Sequence, residues 1–193
     1  MKDNLQISIS GIRGTRPGSL TDGVVIASVD AYCGTLDDGP VVLSHDGRDG
    51  GEEDYELVKK ILHAKDREIL DAGCVPLPTT QVAVLHYGAG AGICVTASHN
   101  PAEWNALKLL NGEGEFISAD EGAELLEIAE KEDFDFAGIT ELGECKVDDS
   151  FIQKHIDLVL NLPLVDVEAI KKSHFRVALD CVNSTGGLAL PLL

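Results

Sequence analysis

Apolar positions along the chain come in two alternating kinds of run. Short clusters, partly β-branched and bounded by turn formers, read as strands: Val41-Val42-Leu43-Ser44, and Gly92-Ile93-Cys94-Val95 continuing to Thr96-Ala97. Between them, Tyr55 to Leu62 places Leu57, Val58, Ile61 and Leu62 on one helical face. Ser118-Ala119-Asp120-Glu121 has the form of a capping box and opens a helix through Leu125, Leu126, Ile128 and Ala129. Ser150 to Gln153 repeats that signal ahead of Ile152, Ile156, Val159 and Leu160, and Phe134 to Gly143 reads as a connecting strand and turn. Strand and helix patterns in alternation predict a layered α/β domain.

The alternation breaks at Asn161-Leu162-Pro163-Leu164, which places a boundary between a domain over 1–160 and a segment over 161–193. In that segment, Val165 to Lys172 reads as a short connecting helix and Phe175 to Val182 as a strand. Asn183-Ser184-Thr185-Gly186-Gly187 is then a turn, and Leu188 to Leu193 an apolar run. A strand, a glycine turn and the first turn of a helix are the expected opening of a second α/β domain, so the chain is expected to be an N-terminal piece. The alternative is a small complete protein whose last residues close its own sheet.

A chain of 193 residues that is 44% hydrophobic can bury one good core, or one domain and part of another. Fifteen Lys and Arg against 33 Asp and Glu give a net charge of −18, which excludes a broad nucleic-acid or anionic-membrane footprint. Any anionic substrate must therefore meet local cations, and Arg13, Arg16, Arg48 and Lys108 are the candidates. The surplus acid is equally compatible with ordinary solubility and with a high-salt habitat. Cys33, Cys74, Cys94, Cys145 and Cys181 have no metal-site spacing and read as mostly buried thiols of a reducing compartment. No run of about 18 apolar residues occurs, so a soluble, cytoplasmic protein is expected. Gly88-Ala89-Gly90-Ala91-Gly92 precedes a strand instead of following one, which argues against a dinucleotide loop.

Candidate chemistry centres on Thr96-Ala97-Ser98-His99-Asn100-Pro101, at the end of a buried strand, where open α/β sheets place their sites. Pro101 disfavours helical geometry at Asn100, so the Ser98 hydroxyl is presented on a loop. Ser8-Ile9-Ser10-Gly11-Ile12-Arg13-Gly14-Thr15-Arg16-Pro17-Gly18 adds arginines among glycines, a composition suited to an oxyanion, and Lys108 follows Ser98 by ten residues. Ser98 with His99 also admits a serine hydrolase. Adjacent residues form a poor nucleophile–base pair, however, and no Gly-x-Ser-x-Gly elbow is present.

In order and spacing, Ser10-Gly11-Ile12-Arg13-Gly14-Thr15, Asp46-Gly47-Arg48, Val75-Pro76-Leu77-Pro78-Thr79, Thr96 to Pro101 and Asn105-Ala106-Leu107-Lys108 resemble the α-D-phosphohexomutases. That superfamily includes phosphoglucomutase/phosphomannomutase and phosphoglucosamine mutase. The resemblance implies a three-layer α/β/α first domain with a mixed sheet, in a four-domain protein. It implies interconversion of hexose 1- and 6-phosphates through a phosphorylated Ser98 and a bisphosphorylated intermediate, with a phosphosugar as partner and hexose 1,6-bisphosphate as activator. Mg²⁺ would be bound by the Ser98 phosphate and by aspartates beyond Leu193, leaving these 193 residues inactive alone. Arg13 and Lys108, both read as loop residues, are the candidates for charge stabilisation and proton relay, and His99 for orienting or protonating the transferring oxygens. Thr96-Ala97 before the serine leans towards glucose and mannose phosphates over glucosamine phosphate. Ser44-His45-Asp46 and Asp49-Gly50-Gly51 depart from the family pattern, leaving the role of the Arg48 loop open. A non-catalytic phosphoprotein of the same fold is the alternative.

Overall fold

The computed structural model describes residues 4–8, 11–131 and 143–193. Seven strands form one mixed sheet: β1 (Gln6–Ser8), β2 (Gly11–Thr15), β3 (Val41–His45), β4 (Ile69–Cys74), β5 (Ala91–Val95), β6 (Trp104–Leu110) and β7 (Cys145–Val147). Their spatial order is β1-β2-β6-β5-β3-β4-β7. β5, β3, β4 and β7 run parallel, while β6, β2 and β1 join antiparallel. The helices are α1 (Asp22–Thr35), α2 (Gly51–Ala64), α3 (Leu77–Tyr87), α4 (Ala119–Ala129), α5 (Phe151–Leu160), α6 (Val167–Lys172) and a single turn, α7 (Gly186–Ala189).

Strand alternation sends side chains to two cores, which makes three layers. Val41, Leu43, Ile93, Leu107 and Leu109 meet α1, α2 and α4 through Val25, Val29, Tyr55, Val58 and Leu125. Val42, Leu70 and Ala72 point the other way, onto Ala83 and Val84 of α3 and Phe151 of α5. Glycine matters at position 92, where a Cβ would lie 2.8 Å from Val84 Cγ2 and 3.1 Å from Leu110 Cδ1. The bare backbone there lets α3 close on the sheet. Buried Tyr32 satisfies its hydroxyl by donating to the Leu110 carbonyl at 2.6 Å.

The Ser118 capping box forms as read, with both reciprocal bonds present. Ser150 behaves otherwise. It precedes α5 without a side-chain cap, because its hydroxyl and amide both donate to Asp148. The connecting helix begins two residues later than read, at Val167, where Asp166 accepts from the Ala169 N–H at 2.9 Å. Residues 175–180, read as a strand, have no regular structure and are exposed. A strand needs a ladder partner, and none of the described strands offers one to this segment. The connecting strand read over Phe134 to Gly143 falls, up to residue 142, outside the described residues, as do Ile9 and Ser10. All five cysteines are free; Cys33 and Cys94 are buried and the other three partly so. Burial pushes the Cys33 thiol up to about 11 and the Cys94 thiol up to about 12. Among the described residues no helix is long and apolar enough to cross a membrane.

Asp71 ties α2 to the sheet. It lies on β4, 5% exposed, and accepts from the Tyr55 hydroxyl, from Lys59 Nζ at 2.6 Å and from the Gly73 N–H at 3.0 Å. Burial alone would raise its carboxyl, but these donors outweigh burial and hold it below the ordinary 3.8. The folded state therefore prefers the ionised form, and that stabilisation is present above 3.8 and lost as pH falls through the lowered value. Asp71→Asn should cost about 2 kcal/mol at neutral pH, the scale of charge-assisted hydrogen bonds. Thermal melts should show the gap between wild type and variant narrowing below 3.8. A gap that widened with acid would refute this account.

Candidate active site

Parallel pairing aligns His45 of β3 with Val95 of β5, so both strands end on the same edge and deliver Asp46 and Thr96 side by side. The Asp46 N–H donates to the Val95 carbonyl at 3.1 Å, and the Thr96 hydroxyl donates to Asp46 Oδ2 at 2.5 Å. Thr96 Oγ1 in turn accepts from the Ser98 N–H at 3.1 Å. Arg48 binds the other side of the same loop: Nη2 donates to the Ser98 carbonyl at 2.8 Å, Nη1 to the Trp104 carbonyl at 2.6 Å, and Nε to Asp46 Oδ2 at 3.2 Å. Between these anchors Ser98 has φ 56°, left-handed and sparsely populated for a non-glycine residue. Its side chain is exposed, while Thr96 and Ala97 before it are buried.

Arg13 and Lys108 lie on strands and not on loops, which corrects the reading from sequence. Arg13 is in β2, paired with Ala106, and Lys108 is in β6, paired with Cys94. Their neighbours Ile12, Leu107 and Leu109 face the α1/α2/α4 core, so alternation puts Arg13 and Lys108 on the opposite face of the sheet. Lys108 is only 7% exposed, with Nζ 4.9 Å from the centre of the Phe116 ring. Burial first, and then the positive charge of Arg13, hold its ammonium below the ordinary lysine value. Arg13 also donates to Asn100 Oδ1 at 3.2 Å, linking β2 to the serine loop.

A concavity of about 400 Å³ brings Lys108, Ser98 and His99 together, with Pro76 and Leu77 at the start of α3. His99 Nδ1 stands 3.5 Å from Ser98 Oγ, beyond the range of a competent hydrogen bond. Arg16 is not available to a ligand as the sequence implied, since it donates to Asp22 Oδ1 at 2.6 Å and to buried Asp54, which Asn105 also holds at 2.6 Å. Arg48 is likewise spent on backbone carbonyls. Sequence reasoning missed this clamping role, and placed Asp46 and Thr96 in motifs without giving either a part in holding the serine loop, although each is the first residue after a strand of the parallel sheet. Among the described residues, no group of three or more His, Cys, Asp or Glu converges as a metal cage. A Mg²⁺ ion at Ser98 would therefore depend on phosphate oxygens as well as on side chains.

A family model described as phosphoglucomutase/phosphomannomutase, alpha/beta/alpha domain I, matches residues 5–136. The chain is 37% identical over 153 residues to a phosphoglucomutase/phosphomannomutase of Thermococcus kodakarensis, covering 79% of this chain and 33% of that protein. It is 32% identical over 186 residues to a phosphoglucosamine/phosphogalactosamine mutase of Sulfurisphaera tokodaii, covering 95% and 40%. The chain thus spans a third to two fifths of the length of these curated relatives. The fold is that of the pp63/parafusin phosphoglucomutase of Paramecium in its open form, with TM-score 0.77 at 15% identity over 98% of this chain and 42% of that one.

Arg48→Lys keeps the charge but loses the fork that reaches two carbonyls and Asp46 together. The variant should lose about 1–3 kcal/mol of stability and become more susceptible to limited proteolysis around residues 98–101. Wild-type melting and wild-type cleavage together would remove Arg48 from this role.

Proposed function

The chain belongs to the α-D-phosphohexomutase family, and from that premise we propose that it supplies the phosphoryl-carrying face of a site interconverting hexose 1-phosphates and hexose 6-phosphates. Ser98 carries the phosphoryl group. Its P–Oγ bond breaks as the free hydroxyl of a hexose monophosphate forms a new P–O bond; that hydroxyl gives up its proton and Ser98 Oγ takes one. The resulting 1,6-bisphosphate turns over and returns its other phosphoryl group to Ser98, so the sequence is balanced without an outside donor.

The observation that supports this reading best is Ser98 held at φ 56° by Arg48 and Thr96, beside a lysine that burial has made easier to deprotonate. Lys108 can pass the proton between serine and sugar, and Arg13 can offset the charge of the transferring group. A phosphate on Ser98 would add about −1.5 to −2 charges, drawing the Lys108 proton back and matching its protonation to the loaded state. Bound Mg²⁺ would neutralise phosphoryl charge, with oxygens of the Ser98 phosphate among its ligands. The 3.5 Å gap between Ser98 and His99 speaks against a serine hydrolase and leaves His99 to orient phosphoryl oxygens. For the sugar, Thr96-Ala97 favours glucose and mannose phosphates, with glucosamine phosphate the second choice.

Peptide mass spectrometry of the protein isolated from cells should find phosphate on Ser98; phosphate elsewhere with Ser98 always bare would sink the mechanism. The 193 residues alone should show no mutase activity. In the complete enzyme, Lys108→Met and Arg13→Ala should each lower kcat by at least ~10²-fold, the scale of a positioned acid–base or charge-stabilising group. Because Lys108 is buried on a strand, methionine is the informative replacement: it keeps the volume, removes an unfavourably buried charge and should leave Tm unchanged or raised. Near-normal kcat in both variants would return these residues to a structural role.

A further inference from the structure

The turn at Cys181 to Gly186 lies against the site. Val182, Asn183 and Ser184 line a concavity of about 550 Å³ together with Ser98, His99 and Arg48. Among the described residues, a hydrogen bond and a close approach tie the turn to Gly47, and the helical turn that follows packs on α5. The Gly47 N–H donates to Ser184 Oγ at 3.1 Å, and a Cβ on Gly47 would stand only 3.0 Å from Ser184 Cα and 3.2 Å from the Asn183 carbonyl. Val182 and Asn183 adopt φ 44° and 54°, and such a conformation in a β-branched residue calls for support from its surroundings. Asp180 Oδ1 provides some by accepting from the Val182 N–H at 3.0 Å, and the Ser184 N–H donates to the Cys181 carbonyl at 2.8 Å.

Gly47 is the residue between the two that fix the serine loop. Asp46 receives Thr96, and Arg48 binds the Ser98 carbonyl. A contact made at Gly47 therefore acts on both anchors at once. We propose that Ser184 is a positioning residue for phosphoryl transfer, its hydroxyl fixing the Asp46-Gly47-Arg48 loop so that Arg48 and Thr96 keep Ser98 in its left-handed conformation. The transfer half of this proposal rests on Ser98 being the phosphoryl carrier; the mechanical half does not.

The test uses two readouts on Ser184→Ala, Ser184→Thr and Gly47→Ala. Hydrogen exchange on the 193-residue chain should accelerate about tenfold at the amides of residues 98–100 in Ser184→Ala, the loss expected for one neutral hydrogen bond. Amides of β3 and β5 should stay protected. Gly47→Ala should do the same by displacing the turn, and Ser184→Thr, which keeps the hydroxyl, should restore wild-type exchange. Incubation of the complete enzyme with glucose 1,6-bisphosphate should phosphorylate Ser98 about tenfold more slowly in Ser184→Ala, at unchanged Tm and with recovery in Ser184→Thr. Unchanged exchange at residues 98–100 would overturn the proposal. Faster exchange with an unaltered phosphorylation rate would overturn the positioning role. If wild type never takes phosphate on Ser98, the functional reading itself fails and the positioning role falls with it.

Discussion

The candidate site hangs on the Arg48 guanidinium, because the loop it binds must satisfy two opposed demands. Under the proposed function, Ser98 has to be open to a sugar, and it has to stand in one place. An exposed serine at φ 56° meets the first demand and invites disorder. Arg48 meets the second by joining carbonyls of two segments, Ser98 before Pro101 and Trp104 after it, so that the turn between them cannot open without losing both bonds. Asp46 completes the arrangement, holding Arg48 on one oxygen pair and Thr96 on the same carboxylate. The sheet supplies Asp46 because β3 and β5 are parallel neighbours ending at one level.

Charge is distributed with economy in this strongly acidic chain. Two of the four cations read as ligand-binding, Arg16 and Arg48, are neutralised by internal carboxylates and carbonyls and act as struts. The other two, Arg13 and Lys108, share one face of the sheet closely enough for the arginine to weaken proton binding by the lysine. A carboxylate beside Lys108 would have had the opposite effect, fixing it as an ammonium. Burial first, and like-charge proximity second, ease the loss of a proton from an amine.

How much of this was legible follows the physics of each segment. The Val41 and Gly92 strands, the α2 face and the Ser118 cap were readable because their signals are local: periodicity and a four-residue motif. The loop position of Ser98 was readable from Pro101. Arg13 was misread because Gly11 and Gly14 look like loop residues, whereas Gly11 permits close pairing with β6, where a Cβ would sit 2.4 Å from the Leu107 carbonyl oxygen, and Gly14 makes room for Ser19 and Leu20. Ser150 carried a capping signature that Asp148 pre-empted, a competition only the three-dimensional neighbourhood decides. Residues 175–180 have strand composition, but strand formation depends on a partner that local sequence cannot supply. The Arg48 clamp spans 50 and 56 positions in sequence to its two carbonyls, and no spacing rule reaches that far.

The missing side chain at Gly92 fixes a dimension of the whole molecule. Without a Cβ, Val84 of α3 rests directly against the strand, and the beginning of that helix, at Pro76 and Leu77, forms part of the wall facing Ser98 and Lys108. A single methyl group on β5 would act as a wedge, tilting a rigid rod whose far end borders the reaction space. The width of the candidate cleft is thus gauged at a point in the hydrophobic interior, by an atom that is not there.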